Sequence, residues 1–367
     1  MFEMNVLWLS VRRFGKDLCG TTQIALLDKI SQNCGRVEIW ARGEYEPSEN
    51  WSLVSFPDDS KVGFQTKNLA KNFLHSKQDF SKFQHVMLDW PLVRYLGREV
   101  DQFQSWSLID RSPPADKGIF SKLQWRDWNF AWRKFRDCEN SKLAMVVSRE
   151  HEEFVKNKIG TSVEDITIVN AGVDINKFNV SNQRNMDPLK LVYHGRLDVH
   201  RGVLSLPFIS HILDQKGVKN ELHLIGSGTA STKISEMIKD NDSIFLHDFM
   251  THDEISEFLQ GCHIGCLPMP SDYEMWKISS PLKLSEYLSS GLLVVGIDHT
   301  GNRFDEDLKS IHLEPKETFV KGSAEWIKSV LDDENFAELS QLSRKFAENN
   351  LDWNLTTAEF ISRLFNQ

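Results

Sequence analysis

Short apolar runs alternate along this chain with stretches whose apolar residues recur every three to four positions, the pattern of strands interleaved with amphipathic helices. In the first half, Asn5 to Val11 reads as a strand, and Ile24, Leu27 and Ile30 mark one face of the helix that follows. Val37 to Ala41, Trp51 to Phe56, His85 to Leu88 and Ala144 to Ser148 are further strands, the last of them closing this half. The signal is denser in the second half. Leu189 to His194 runs into Gly195, and Glu221 to Ile225 runs into Gly226 and Gly228. A helix from Ser231 to Lys239 and a strand from Ser243 to Leu246 come next. Thr251 and Glu254 then form a capping-box pattern, opening a helix that stops at Gly261. His263 to Leu267 and Leu292 to Ile297 are strands. Between them, Ser280 and Pro281 suit the N-cap and first turn of a helix stopped by Gly291.

Such repeats predict an α/β protein with parallel, doubly wound sheets covered by helices, in which ligands sit at the carboxyl ends of the strands. Gly195, Gly226 and Pro268 all follow strands there. At 367 residues the chain exceeds one ordinary core. The turn-forming segment Asn170 to Phe178, NAGVDINKF, divides it into 1–172 and a second domain from 173.

Composition narrows the class. The chain is 40% hydrophobic and 26% charged, as a globular protein is, and its net charge of −9 argues against nucleic acid as a partner. Five scattered cysteines make no disulfide framework and no zinc spacing. The N-terminus lacks a signal pattern and no apolar run is long enough to span a membrane, so a cytoplasmic location is expected.

Three segments of the second half carry candidate chemistry. HGRLDVHRG puts Arg196 and Arg201 just after a strand, where a tight turn and a helix start favour an anion. Two guanidinium groups there grip a diphosphate, or else simply solvate a surface. LIGSGTAS supplies Gly226 and Gly228, which either let backbone approach a phosphate or make a plain turn. In SSPLKLSEYLSSG, Lys283, Glu286 and Ser290 share a helix face. A carboxylate over a strand end can hold ribose hydroxyls while the lysine offsets diphosphate charge; the alternative is an exposed Glu–Lys pair.

Together GRL, IGSG, SPLKLSEYLSSG with LLVVGID after it, and NAGVDINKF resemble GT-B glycosyltransferases, in particular the large retaining group classed as family 4, also called glycosyl transferases group 1. The resemblance implies two Rossmann-like doubly wound domains with a cleft between them. It implies that 173–348 binds the nucleotide sugar, and that the C-terminal helix of 349–367 (within FAENNLDWNLTTAEFISRLF) crosses back onto the first domain. It matches Arg196 and Arg201 to the donor diphosphate, Glu286 to the nucleotide ribose, Gly195, Gly226 and Gly228 to the nucleotide turns, and Ser280, Pro281, Leu282 and Lys283 to the phosphates. One position departs: where the family carries a second glutamate eight residues before the ribose-binding one, this chain has Ile278. The implied activity is metal-independent transfer of a hexosyl group from a UDP- or GDP-linked sugar to a glycan or lipid-linked acceptor, without a cofactor, in bacterial surface polysaccharide synthesis. A nucleotide-sugar epimerase or a non-catalytic nucleotide-binding subunit are the alternatives.

By the same resemblance the first half binds the acceptor. Gly20, in LCGTT, falls in the loop that passes near donor phosphate. In SLIDRSPPAD, Asp110 or Arg111 stands near the transferred sugar, the first as a base and the second as an anion ligand for the acceptor; otherwise they are a capping Asp and a surface Arg before a rigid turn. From Arg111 to Arg136 there are seven basic residues and two acidic ones, interleaved with Trp125, Trp128, Trp132 and Phe135 at helical spacing. The helix of 119–136 therefore either packs on the core with a solvated basic face or also touches anionic lipid at the inner face of a membrane.

Overall fold

The computed structural model describes residues 4–15, 20–47, 50–57, 63–76, 79–114, 119–160, 163, 165–181 and 184–365. The chain divides into two compact units, Met1–Asn170 with Thr356–Gln367, and Ala171–Leu355. The first division thus falls at 170/171, two residues before the sequence-based boundary. The helix Phe336–Asn350 belongs to the second unit, while Ala358–Phe365 belongs to the first.

The first unit is a seven-stranded parallel sheet. Its strands are β1 (Asn5–Phe14), β2 (Arg36–Gly43), β3 (Ser52–Phe56), β4 (His85–Asp89), β5 (Trp106–Ile109), β6 (Ser141–Val146) and β7 (Ile166–Ile168), in the order β3-β2-β1-β4-β5-β6-β7. Successive β1 residues face opposite sides, as a pleat requires. Leu7 and Leu9 meet Trp128 and Trp132 of the helix Ile119–Asp137 on one face. Val6 and Trp8 meet Leu26, Leu27 and Ile30 of the helix Gly20–Ser31 on the other, where Phe360 and Leu364 of the terminal helix also pack. Two strands were missed in the sequence. β5 has four residues, all buried, and β7 has three, so neither is long enough to show a period; Ala144 to Ser148 is not the last strand of the half.

The second unit has β8 (Leu189–His194), β9 (Asn220–Ile225), β10 (Ile244–His247), β11 (Ile264–Leu267), β12 (Leu293–Ile297) and β13 (Ile311–Glu314), all parallel, in the order β10-β9-β8-β11-β12-β13. β13 was also missed, because an edge strand with only half-buried residues shows no apolar run. The order reverses between β8 and β11, so the connections leaving β8 and β11 part and open a crevice at the carboxyl ends. The capping box forms as read: Glu254 N donates to the Thr251 hydroxyl, and Thr251 N donates to the Glu254 carboxylate at 2.7 Å. Ser280 does not cap its helix. That helix is Leu282–Ser289, Pro281 holds its N-cap position, and the Ser280 hydroxyl instead accepts from Ala171 N at 2.8 Å. The Ser285 hydroxyl donates to Ala171 O at 2.7 Å, so the segment opening this unit is tied to the helix twice.

Burial shapes how this fold responds to acid. It pulls the pKa of His85 down to about 3, and those of His223, His263 and His299 down to about 4. In the unfolded chain the same groups take up protons near 6.5. Stability from these four is therefore whole above about pH 6.5 and is lost as pH falls from there towards 4. Asp89, whose carboxyl burial pushes up, works in the opposite direction but is a single group. Melting followed by circular dichroism is expected to show Tm falling steadily between pH 7 and pH 5; a Tm constant over that interval would mean that these imidazoles are no harder to protonate in the folded chain than in the unfolded one.

Candidate functional site

β8 ends at His194 and the chain turns at once through Gly195 into a short 3-10 segment, Val199–Arg201. β9 ends beside it at Ile225, and its loop lies against the first. A Cβ on Gly226, where φ is +124°, would sit 2.1 Å from the Gly195 carbonyl oxygen. One on Gly228 would sit 2.4 Å from that of Leu197 and 2.8 Å from Oδ1 of Asp198. Only glycine permits this contact between two strand-end loops. Asp198 seals it: the buried carboxylate accepts from Thr229 N at 3.1 Å and from Arg196 Nε at 2.7 Å. The Arg196 hydrogen bond holds its pKa at about 2. Arg201 Nε stands 4.0 Å from the same carboxylate, and its guanidinium lies 4.8 Å over the Trp276 ring. Both arginines are thus held around one acid at the carboxyl end of β8.

The helix Leu282–Ser289 closes the other side. Lys283 Nζ lies 3.3 Å from where a Gly195 Cβ would be and 5.2 Å over the Tyr193 ring. Glu286, on the same helix, is 4% exposed and is not half of a solvated Glu–Lys pair. His252 Nε2 donates to its Oε1 at 2.9 Å. His194 Nε2 is 3.1 Å from Oε2, too oblique for an aligned hydrogen bond, so Oε2 is a buried acceptor with no hydrogen-bond partner. Burial by itself would raise the Glu286 pKa; the hydrogen bond from His252 and the nearness of both imidazoles overcome it and hold the carboxyl well below the usual range. Burial lowers the pKa of His194, with the Glu286 carboxylate pulling the other way. The helix's first amides have no partner within the helix, which makes its start a place for negative charge. Gly195, Arg196, Arg201, Gly226, Gly228, Lys283 and Glu286 are therefore brought together. Ser280 is turned to Ala171, and Pro281 and Leu282 set the start of the helix. Ile278 is 3% exposed, an apolar side chain in the core. Glu274 is exposed and lies 3.7 Å from Lys277. Among the described residues no group of three or more His, Cys, Asp or Glu side chains is arranged to hold a metal ion.

The residues singled out in the first unit are placed differently. Gly20 opens the helix Gly20–Ser31, and an added Cβ there would meet nothing within 4 Å, so packing does not require glycine. Arg111 Nη1 reaches Gln23 Oε1 of that helix at 3.4 Å. Asp110 is fully buried, just past β5. Its Oδ2 accepts from the indoles of Trp128 at 2.6 Å and Trp132 at 2.8 Å, with His151 Nε2 at 3.3 Å, and Oδ1 accepts from Ser112 N at 3.1 Å. A carboxylate so enclosed anchors the helix Ile119–Asp137 to the sheet and has no open face for an acceptor hydroxyl.

Residues 188–333 match the family model described as glycosyl transferases group 1. That stretch of the second unit resembles a group 1 glycosyltransferase domain. The amylovoran biosynthesis glycosyltransferase AmsK of Erwinia amylovora is 29% identical over 149 residues, which are 39% of this chain and 36% of that protein, so the match spans about a third of the relative's length. Over the whole chain the fold is GT-B. A sucrose-phosphate synthase from Thermosynechococcus elongatus superposes with a TM-score of 0.79 at 13% identity, covering 99% of this chain and 98% of its own. WaaG, a glycosyltransferase involved in lipopolysaccharide biosynthesis, gives 0.75 at 12% identity over 99% and 100%. HepE of Anabaena, solved with UDP-glucose, gives 0.74 at 13% identity over 99% and 100%.

Three residues of the second unit escaped the sequence reading: His194, Asp198 and His252. His194 and Asp198 flank the glycine and arginine that were noticed, and a strand-end histidine directly before a glycine was a usable signal. His252 lies 34 positions from Glu286 and carried none. Outside that unit, Asp110 supplies a direct check. Asp110→Ala is expected to lower the unfolding free energy by ~2–4 kcal/mol in urea titrations, since it strands two buried indole donors. A change within about 0.5 kcal/mol would mean the carboxylate is not the anchor described.

Proposed function

We propose that the chain is a retaining glycosyltransferase that moves a hexosyl group from a UDP- or GDP-linked sugar to a glycan or lipid-linked acceptor in bacterial surface polysaccharide synthesis. The observation that carries this is the buried, ionised Glu286 with an unfilled acceptor atom, set beside two arginines and a lysine at the carboxyl ends of parallel strands. A carboxylate there suits a ribose hydroxyl, and the cations suit a diphosphate. The match to the group 1 family and to the amylovoran enzyme supports the activity and its setting. HepE, solved with UDP-glucose on the same fold, supports the donor class.

In this scheme Arg196, Arg201, Lys283 and the start of the helix Leu282–Ser289 stabilise the charge that grows on the departing diphosphate. The arginines reach it by leaving Asp198, whose own hydrogen bond to Thr229 N keeps the loop in place meanwhile. Retention requires the acceptor hydroxyl to attack the face from which the diphosphate leaves. Positive side chains supply the charge that a metal would otherwise provide, so transfer proceeds in excess EDTA.

Among the described residues no helix is long and apolar enough to cross a membrane. We place the enzyme in the cytoplasm, touching the inner membrane face through the helix Ile119–Asp137. Its tryptophans are taken up by the core, yet Leu123 is 46% and Phe130 37% exposed on the side that also bears Lys122, Arg126 and Arg133. Apolar tips among cations fit an anionic lipid surface.

A thermal-shift panel of UDP- and GDP-linked sugars tests the donor site, because a ligand that binds only the native state raises Tm. One base series is expected to raise it, and Glu286→Gln, still melting cooperatively, to lose most of that rise; no shift with any donor would refute the proposal. Sedimentation with phosphatidylglycerol vesicles is expected to carry down the wild type, and a Leu123→Ser, Phe130→Ser variant to stay in solution.

A further inference from the structure

Burying a carboxylate as deeply as Glu286 is costly unless donors replace the lost water. Here two imidazoles approach it from separate elements: His194 is the last residue of β8, and His252 is the first of the helix His252–Leu259. They do different things. His252 makes the aligned hydrogen bond, with Nε2 2.9 Å from Oε1. Its own position is doubly set, by the capping box that fixes the start of its helix and by the Phe178 ring 4.8 Å away. His194 stands edge-on to the Tyr287 ring, at 5.3 Å and 89°, with Nε2 3.1 Å from Oε2 and no aligned hydrogen bond to it. The result is an asymmetric carboxylate, with Oε1 occupied and Oε2 held ready.

We propose that His252 and His194 are positioning residues for nucleotide recognition: His252 ties down Oε1 and His194 confines Oε2, so that the ribose is read through Oε2. This deepens the glycosyltransferase reading and rests on it. It follows that one ribose hydroxyl makes the ion-assisted hydrogen bond, and that its strength depends on a histidine 34 residues away from the carboxylate in sequence. Without His252, Glu286 is free to turn about its own side-chain bonds, and the acceptor atom is no longer placed.

The probes are UDP and GDP with their 2′-deoxy and 3′-deoxy forms, titrated by calorimetry into the full chain. The wild type is expected to bind one of the two ribonucleotides and to disfavour one of its deoxy forms by about tenfold, the worth of one hydrogen bond to a charged group. His252→Ala is expected to weaken the ribonucleotide by about tenfold and to bind the deoxy form as well as the ribo form. His252→Gln, which keeps an N–H at the reach of Nε2, is expected to restore affinity and discrimination to within about twofold. In steady-state assays His252→Ala is expected to raise the donor KM with little change in kcat, since the anchor lies away from the reacting atoms. Should the alanine variant not fold, His252→Asn, whose donor falls short of Oε1, takes its place. Full discrimination in His252→Ala or His252→Asn, or a glutamine variant as weak as alanine, overturns the positioning role alone. A wild type that binds neither UDP nor GDP overturns the glycosyltransferase reading, and this inference with it.

Discussion

A charge taken out of water must find its donors inside the protein, and the second unit is arranged around one such charge. Glu286 is 4% exposed yet ionised, because two imidazoles meet it from β8 and from the helix after β10. For those imidazoles to arrive, β8 must stop at residue 194, the β9 loop must lie against the β8 loop, and the helix Leu282–Ser289 must stand over both. The contact of Gly226 and Gly228 with the opposite loop is what allows this closeness, and Asp198 holds it there.

Two buried acids differ in how completely their oxygens are matched. Asp110 lies just past a strand in the first unit and Glu286 over the strand ends of the second, and neither sees solvent appreciably. Both oxygens of Asp110 are taken, one by two indoles and the other by a backbone amide. Nothing remains for a ligand, and the acid serves to bolt a helix to its sheet. Glu286 keeps one oxygen unmatched. An unmet buried acceptor calls for an explanation, and a ligand that completes it is the one proposed for Glu286.

The arginines follow the same logic at lower stringency. In the structure both stand by Asp198, Arg201 largely covered and Arg196 still mostly in water, so the positive charge lies beside the crevice. The stacking of Arg201 on Trp276 adds a second restraint from the segment that also carries Ile278. With an isoleucine buried at that position, the segment lays Trp276 against Arg201 and His200 of the loop after β8.

Much of this was legible in the sequence, and for a definite reason. The strands β8, β9 and β12 are mostly apolar runs of five or six residues set next to glycines, the capping box at Thr251 is a local pattern, and the GRL, IGSG and SPLKLSEYLSSG segments keep their order, so parallel α/β architecture and the converging site residues could be named from the chain alone. The short or edge strands β5, β7 and β13 could not, because three or four residues carry no period and a half-buried edge carries no apolar run. Nor could the partners of acids. Whether Ser280 caps its helix or meets Ala171, whether Asp110 faces an acceptor or two indoles, and whether Glu286 pairs with Lys283 or with His194 and His252 are all settled by which elements come to lie side by side. Local patterns report what a residue can do with its neighbours along the chain; desolvation and hydrogen-bond satisfaction depend on neighbours in space, and only the tertiary structure supplies those.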